Sequence, residues 1–219
     1  MTGEFTRIFN SLGELTTFAS GAGIAAFAPV PFDRGLENCV RCRVPSPIGH
    51  ALGGAIIGFA AAPGASGAWG GRLGRNAFTL VVLAAVAPDL DFAWGRHNME
   101  THSLGAAAAA GLLTFAGTRN ARLALAVALA WTSHVLFDWL GSDTTPPLGV
   151  MALWPVSSEY YFSNAFFFEA ISRRYWLDNF ITHNLRAVAQ EILILGPLLA
   201  VVMAVRWRGR RRFRRRDTT

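Results

Sequence analysis

The sequence predicts an all-α protein, a polytopic membrane bundle of about five spans with an aromatic loop at one interface. Three observations carry this. Of the 219 residues, 52% are hydrophobic and only 16% charged, and the mean hydropathy of +0.32 is high for a domain that folds in water. The apolar residues come in blocks separated by turns rich in Gly, Pro and Arg. Acidic and imidazole side chains gather beside those blocks, where a charged group costs roughly 2.5–3.5 kcal/mol at a helix centre and rarely sits without a task.

Taken in order, residues 1–43 differ from the rest. They are mildly apolar, and Glu4 and Glu14 stand where a secretion signal needs positive charge. They are expected to be an unstructured extension or a mis-assigned start, with a membrane domain over 44–205 and an Arg-rich tail over 206–219. Cys39 and Cys42 form a C-x-x-C pair, but a four-thiolate zinc site needs a second pair and the chain has no more cysteines. No thiol chemistry is expected. The first span is Ile48–Pro63, short against the ~20 residues that cross a bilayer core, with Gly53, Gly54 and Gly58 suited to close helix contact. The second is Asn76–Ala87, ended by Pro88. The third starts at Thr101 or His102, with Thr101 as N-cap, and runs to Gly117. The fourth is Ala121–Leu140. Residues 141–186 form the aromatic loop, with Trp154, Tyr160, Tyr161, Phe166–Phe168, Tyr175 and Trp176 suited to the headgroup zone. The last span is Ala187–Val205, kinked at Gly196-Pro197.

All 20 basic residues are arginine, and eight of them lie between Arg206 and Arg216. The pI of 10.6 therefore reports mainly one tail. That tail is expected to be a cytoplasmic topology anchor on anionic lipid rather than a specific nucleic-acid binder. Counting back through five spans, the Arg119/Arg122 turn and the Arg72/Arg75 loop fall on the same cytoplasmic side. His50, the connection carrying Asp89, Asp91, His97 and His102, and the pair His134/Asp138 then all fall at the opposite face.

Those seven residues are the candidate site. His134 and Asp138 are four apart and share a helix face. Asp89 and Asp91 flank one residue in an extended or turn segment after Pro88, where alternation would point both carboxylates the same way. His102, at a helix start, would sit where amide groups and the dipole favour an anion. Imidazoles with carboxylates suit a divalent transition metal, Zn foremost with Mn or Fe(II) as alternatives. His50, Asp89, Asp91, His102, His134 and Asp138 are the expected ligands. Asp91 and His97 are the expected proton carriers around a metal that activates water.

The motifs P-S-P-I-G-H at Pro45–His50, P-D-L-D at Pro88–Asp91, H-x-x-x-T-H-S at His97–Ser103, S-H-x-L-x-D at Ser133–Asp138 and G-V-x-x-L-W-P at Gly149–Pro155 follow one another in order. Together they resemble the YdjM-type inner-membrane metal-dependent hydrolases, over about Val44 to Val205. The resemblance implies a multi-span inner-membrane protein whose metal site uses His50, Asp89, Asp91, His97, His102, His134 and Asp138. One departure is that Asn98-Met99 follow His97 where many relatives carry Arg-Gly; if that Arg binds an anionic substrate group, its role is vacant here or moves to Arg96. The expected function is hydrolysis of an amphiphilic or lipid-linked ester or phosphoester at the outer face. The alternative is a non-enzymatic membrane protein, such as a metal- or proton-coupled transporter or a scaffold.

Overall fold

The computed structural model describes residues 45–62, 74–141, 149–163, 167–169, 171–172 and 175–216. The expected extension over 1–43, with Cys39 and Cys42, lies outside them, as do Arg72 and Phe166. The described residues form five helices: α1 (Pro47–Ala61), α2 (Gly74–Val86), α3 (Leu104–Thr118), α4 (Ala121–Leu140) and α5 (Phe180–Arg216). A 3-10 segment, Ala87–Trp94, continues α2. Among the described residues there is no strand, and only isolated bridges join Val150 to Tyr161 and Gly141 to Phe168.

Three stretches are long and apolar enough to cross a bilayer, namely Asn76–Trp94, Ala121–Leu140 and Phe180–Gly209. The two remaining helices, α1 and α3, have 15 residues each, about 22 Å at 1.5 Å per residue. That is less than the ~30 Å hydrocarbon core. Large apolar side chains face outward, among them Leu83, Leu112, Leu113, Leu125, Leu193 and Val201. This is the surface that lipid requires and water penalises.

Helix α4 packs against α1, α2 and α3, and α1 also packs against α2 and α5. Small residues let these backbones approach, since without a hydrophobic drive inside lipid, close van der Waals contact must hold helices together. A Cβ at Gly54 would lie 2.8 Å from the Ala85 Cβ and 2.9 Å from the Val82 Cα, and one at Gly53 would lie 2.6 Å from the Phe137 ring. The core between α2 and α4 is correspondingly fine-grained: Ala77, Val81, Ala84, Ala85, Ala126, Val127 and Ala130.

Two expectations need correction and one is narrowed. Of the extended or turn geometry expected for Asp89 and Asp91, the structure has the turn, a 3-10 one. Pro88 fits the first turn of a helix, whose early amides need no partner, and Gly95 ends the segment at φ +70° with its amide on the Asp91 and Phe92 carbonyls. Next, α3 starts at Leu104 under a Ser103 cap, whose hydroxyl accepts from the Ala106 amide at 3.0 Å. Thr101 lies in the turn before this cap, and its hydroxyl donates to Asp91. Finally, α5 runs from Phe180 to Arg216 with Pro197 inside it. In its first turns Asn184 and Gln190 bind the backbone of Ser172, Glu169 and Phe167. Its C-terminal end continues through an arginine run of good helix propensity. α4 follows the expected bounds at both ends.

Gly54→Leu should lower the thermal midpoint of the detergent-solubilised protein, by the equivalent of about 1–3 kcal/mol for overpacking a tight contact. Leu112→Ala, on the lipid-facing surface, should leave it nearly unchanged.

Candidate metal centre

The seven residues singled out in the sequence converge at one end of the bundle. His50 comes from the first turn of α1, Asp89 and Asp91 from the 3-10 segment, His97 and His102 from the turn before α3, and His134 with Asp138 from the last two turns of α4. Four of these, from three separate elements, make a compact quartet. His134 Nε2 lies 3.0 Å from His102 Nε2, 3.0 Å from Asp138 Oδ2 and 3.7 Å from Asp89 Oδ1. His102 Nε2 lies 3.2 Å from Asp138 Oδ2 and 3.8 Å from Asp89 Oδ1. A tetrahedron with metal–ligand bonds of ~2.0–2.1 Å has edges of about 3.3 Å, and these separations bracket that value.

The acceptors beside Nδ1 assign the tautomer of each imidazole. His134 Nδ1 is 2.7 Å from the Ala85 carbonyl oxygen, which can only accept. His102 Nδ1 is 3.0 Å from Asp91 Oδ2. Each Nδ1 is therefore the donor, and in a neutral ring each Nε2 carries a lone pair. Two lone pairs and two carboxylate oxygens then point at one another. Asp89 Oδ1 and both Asp138 oxygens are buried and have no aligned hydrogen bond, and the same is true of both His50 nitrogens and of His97 Nε2. Buried acceptors facing each other are unfavourable unless a positive charge stands between them. The His102 imidazole reports that demand. Burial alone would push its pKa down, but the carboxylates of Asp138, Asp89 and Asp91 outweigh burial and hold it well above the ordinary histidine range.

The surroundings tie the quartet in place. Asp91 is fully buried and engaged on both oxygens, with His97 Nδ1 at 3.0 Å on Oδ1 and the Thr101 hydroxyl at 2.6 Å on Oδ2 beside His102. Trp131 Nε1 donates to the Thr101 carbonyl at 2.7 Å, linking that turn to α4. His50 stacks on His134 with ring centroids 3.7 Å apart, and its Nε2 is 3.3 Å from Asp138 Oδ1. His97 lies under the Phe92 ring at 3.7 Å. Two ligand groups result, His50/His134/Asp138 and Asp89/His97/His102, each with donor atoms close enough to hold a metal ion. Access is from one side only: the side chains of Asp89 and His97 are 14% and 18% exposed, whereas those of His50, His102 and His134 are at 0%.

The expectation that the start of α3 binds an anion is overturned. Its first amides are already used: Leu104 N donates to the Ala152 carbonyl at 2.9 Å, Gly105 N to the Trp154 carbonyl at 3.1 Å, Ala106 N to the Ser103 hydroxyl and Ala107 N to the Ser103 carbonyl. This also explains G-V-x-x-L-W-P. The Gly149–Pro155 stretch is a lid strap, held by the Val150–Tyr161 pair and by Met151 N on the Asn98 carbonyl. A Cβ at Gly149, which sits at φ +90°, would collide with the Tyr161 carbonyl at 2.4 Å. Arg96 does not stand free for an anionic substrate either, since it pairs with Glu100.

Reading along the chain missed Glu191. It is fully buried in α5 and takes hydrogen bonds from the Ser46 amide and hydroxyl. The signal was present as a lone acid inside the apolar run A-V-A-Q-E-I-L-I.

Fold and centre together define a helical membrane protein with a buried His/Asp cluster of metal-ligand character at one end of the bundle. Residues 46–212 match the family described as YdjM inner membrane protein. The chain belongs to that family, and so to a family of inner-membrane proteins. No curated protein and no solved structure matches it.

Asp91→Asn should lower the affinity for added cobalt(II) by about 10–100-fold, the range for losing an outer partner of a ligating histidine. An amide nitrogen can present a donor to His102 Nδ1 and so favour the wrong tautomer. Equilibrium titration of the purified protein reads this directly.

Proposed function

We propose that the chain is a metal-dependent hydrolase of amphiphilic esters or phosphoesters, working at the non-cytoplasmic face of the membrane. The observation that carries the reading is the inward-facing quartet of His102 Nε2, His134 Nε2, Asp89 Oδ1 and Asp138 Oδ2, with each imidazole locked by an acceptor at Nδ1. The donor set fits a divalent transition metal, with zinc the best match to mixed imidazole and carboxylate ligands at this spacing. Such an ion supplies Lewis acidity and activates water near neutral pH.

The chain's own residues divide the remaining work. Asp91 orients rather than ligates, because its oxygens are taken by His97, His102 and Thr101. His97, held at Nδ1 by Asp91, presents Nε2 inward at the accessible edge and carries protons there. His50 extends the ligand set through Asp138. The same 3-10 segment carries Leu90, Phe92 and Trp94, all exposed next to the accessible edge. An apolar substrate tail can lie along them while its ester reaches Asp89 and His97.

Two contacts at the ends of α1 support this orientation. Its Ser46 end meets Glu191 at the level of the cluster, and its Ala62 end meets Arg206 at the start of the arginine tail. The cluster and the arginines are thus at opposite ends, and arginine flanks favour the cytoplasm. A transport role is less well supported. Among the described residues, the buried polar side chains other than Arg206's contact gather at the cluster end, including Ser46, Asn98, Ser103, Ser163 and Glu191. They leave no polar track across the bundle.

The protein purified in detergent should contain a stoichiometric transition metal, and the His134→Ala/Asp138→Ala double variant should lose it. The wild type should cleave lipid esters or phosphoesters in nanodiscs, and chelation should abolish that cleavage. Absence of metal from the wild type, or metal flux in proteoliposomes without hydrolysis, would contradict the reading.

A further inference from the structure

Helix α5 grips α1 at both ends, with opposite charges. At the first turn, Glu191 accepts from the Ser46 amide with Oε1 and from the Ser46 hydroxyl with Oε2. At the far end, Arg206 donates to the Ala62 carbonyl. A carboxylate at a helix N-terminus and a guanidinium at its C-terminus both oppose the macrodipole favourably. Both also satisfy backbone groups that a helix end leaves over, groups that lipid cannot serve.

The two grips differ in what lies next to them. The Ala62 end is remote from the cluster. The Ser46 end is one turn from a candidate ligand: the Ser46 hydroxyl accepts from Gly49 N at 3.2 Å, and the Ser46 carbonyl accepts from His50 N at 3.1 Å. The approach of Glu191 is close: a Cβ at position 49 would lie 2.8 Å from its carboxylate carbon and 2.9 Å from Oε2, so a side chain there would displace the carboxylate. Glu191, Ser46 and His50 therefore form a rigid chain of contacts. It fixes how far α1 is rotated and slid along its axis, and so where the His50 ring stands over His134 and against Asp138.

We infer that Glu191 is a positioning residue for the metal centre, acting through Ser46 to hold His50 in ligating register. This rests on the metal-centre reading above. Burying a carboxylate in a span is expensive. An α1–α5 contact made only for stability would be met more cheaply by apolar packing.

The test uses the full chain in nanodiscs, with cobalt(II) as the probe, read by titration and by its visible spectrum. Glu191→Ala should weaken cobalt binding about tenfold, the low end for an outer partner of a ligand, and should shift the spectrum. Arg206→Gln, at the other end of the same helix pair, should lower the thermal midpoint and leave both readouts unchanged. Adding Ser46→Ala to Glu191→Ala should cost nothing more in affinity, because the two act as one unit. Glu191→Gln keeps an acceptor for Ser46 but loses the charge. It should show a smaller loss in the same direction, and it carries the test if the alanine variant does not fold. Wild-type affinity and spectrum in the Glu191 variants would overturn the inference, as would an equal loss of affinity in Arg206→Gln. A wild type that binds no cobalt would instead overturn the metal-centre reading and this inference with it.

Discussion

Everything at the cluster end of this bundle answers one electrostatic problem. Four acceptor atoms, on His102, His134, Asp89 and Asp138, face each other at 3.0–3.8 Å in a buried pocket. In the neutral rings each Nδ1 is committed elsewhere, to Ala85 or Asp91, so a proton comes inward only by charging an imidazole. His102, which the carboxylates hold well above the ordinary histidine range, can supply that charge, and a doubly charged cation would neutralise both carboxylates. The surrounding structure keeps these acceptors from relaxing apart.

That restraint comes from several directions. Small residues on α1, α2 and α4 bring the three backbones close, so the ligand-bearing turns cannot shift without clashes such as Gly54 against Val82. The strap over Gly149–Pro155 consumes the first amides of α3 and seals the turn carrying His97 and His102. Trp131 ties the same turn to α4. The glutamate of α5 holds the N-terminus of α1. Local polar structure that would be costly in lipid is thus satisfied pairwise by protein groups, and the apolar exterior is left to the bilayer.

Much of this was legible in the sequence, and the failures are informative. The seven site residues could be named because acids and imidazoles stand out against apolar blocks, and four of the chain's five histidines belong to the cluster. The bounds of α4 were legible because an Asn120 cap and a Gly141 end frame a long, mostly apolar run. The start of α3 was not, because Thr101 and Ser103 are equally good caps by type and only the folded turn shows that Ser103 meets the helix amide. The role of G-V-x-x-L-W-P was hidden because its carbonyls act on amides nearly fifty residues away. Glu191 was missed although an acid in an apolar span is a strong signal. Its partner lies 145 residues earlier, and nothing local shows which helix end it caps.

The central claim is that His102, His134, Asp89 and Asp138 share one cation. X-ray absorption at the metal edge of the purified protein tests it most directly. The account predicts a first shell of nitrogen and oxygen scatterers at about 2.0–2.2 Å, with the outer-shell pattern of two imidazoles that weakens when His102 or His134 is replaced by alanine. A shell of sulfur scatterers at about 2.3 Å, or a shell unaffected by either replacement, would contradict it.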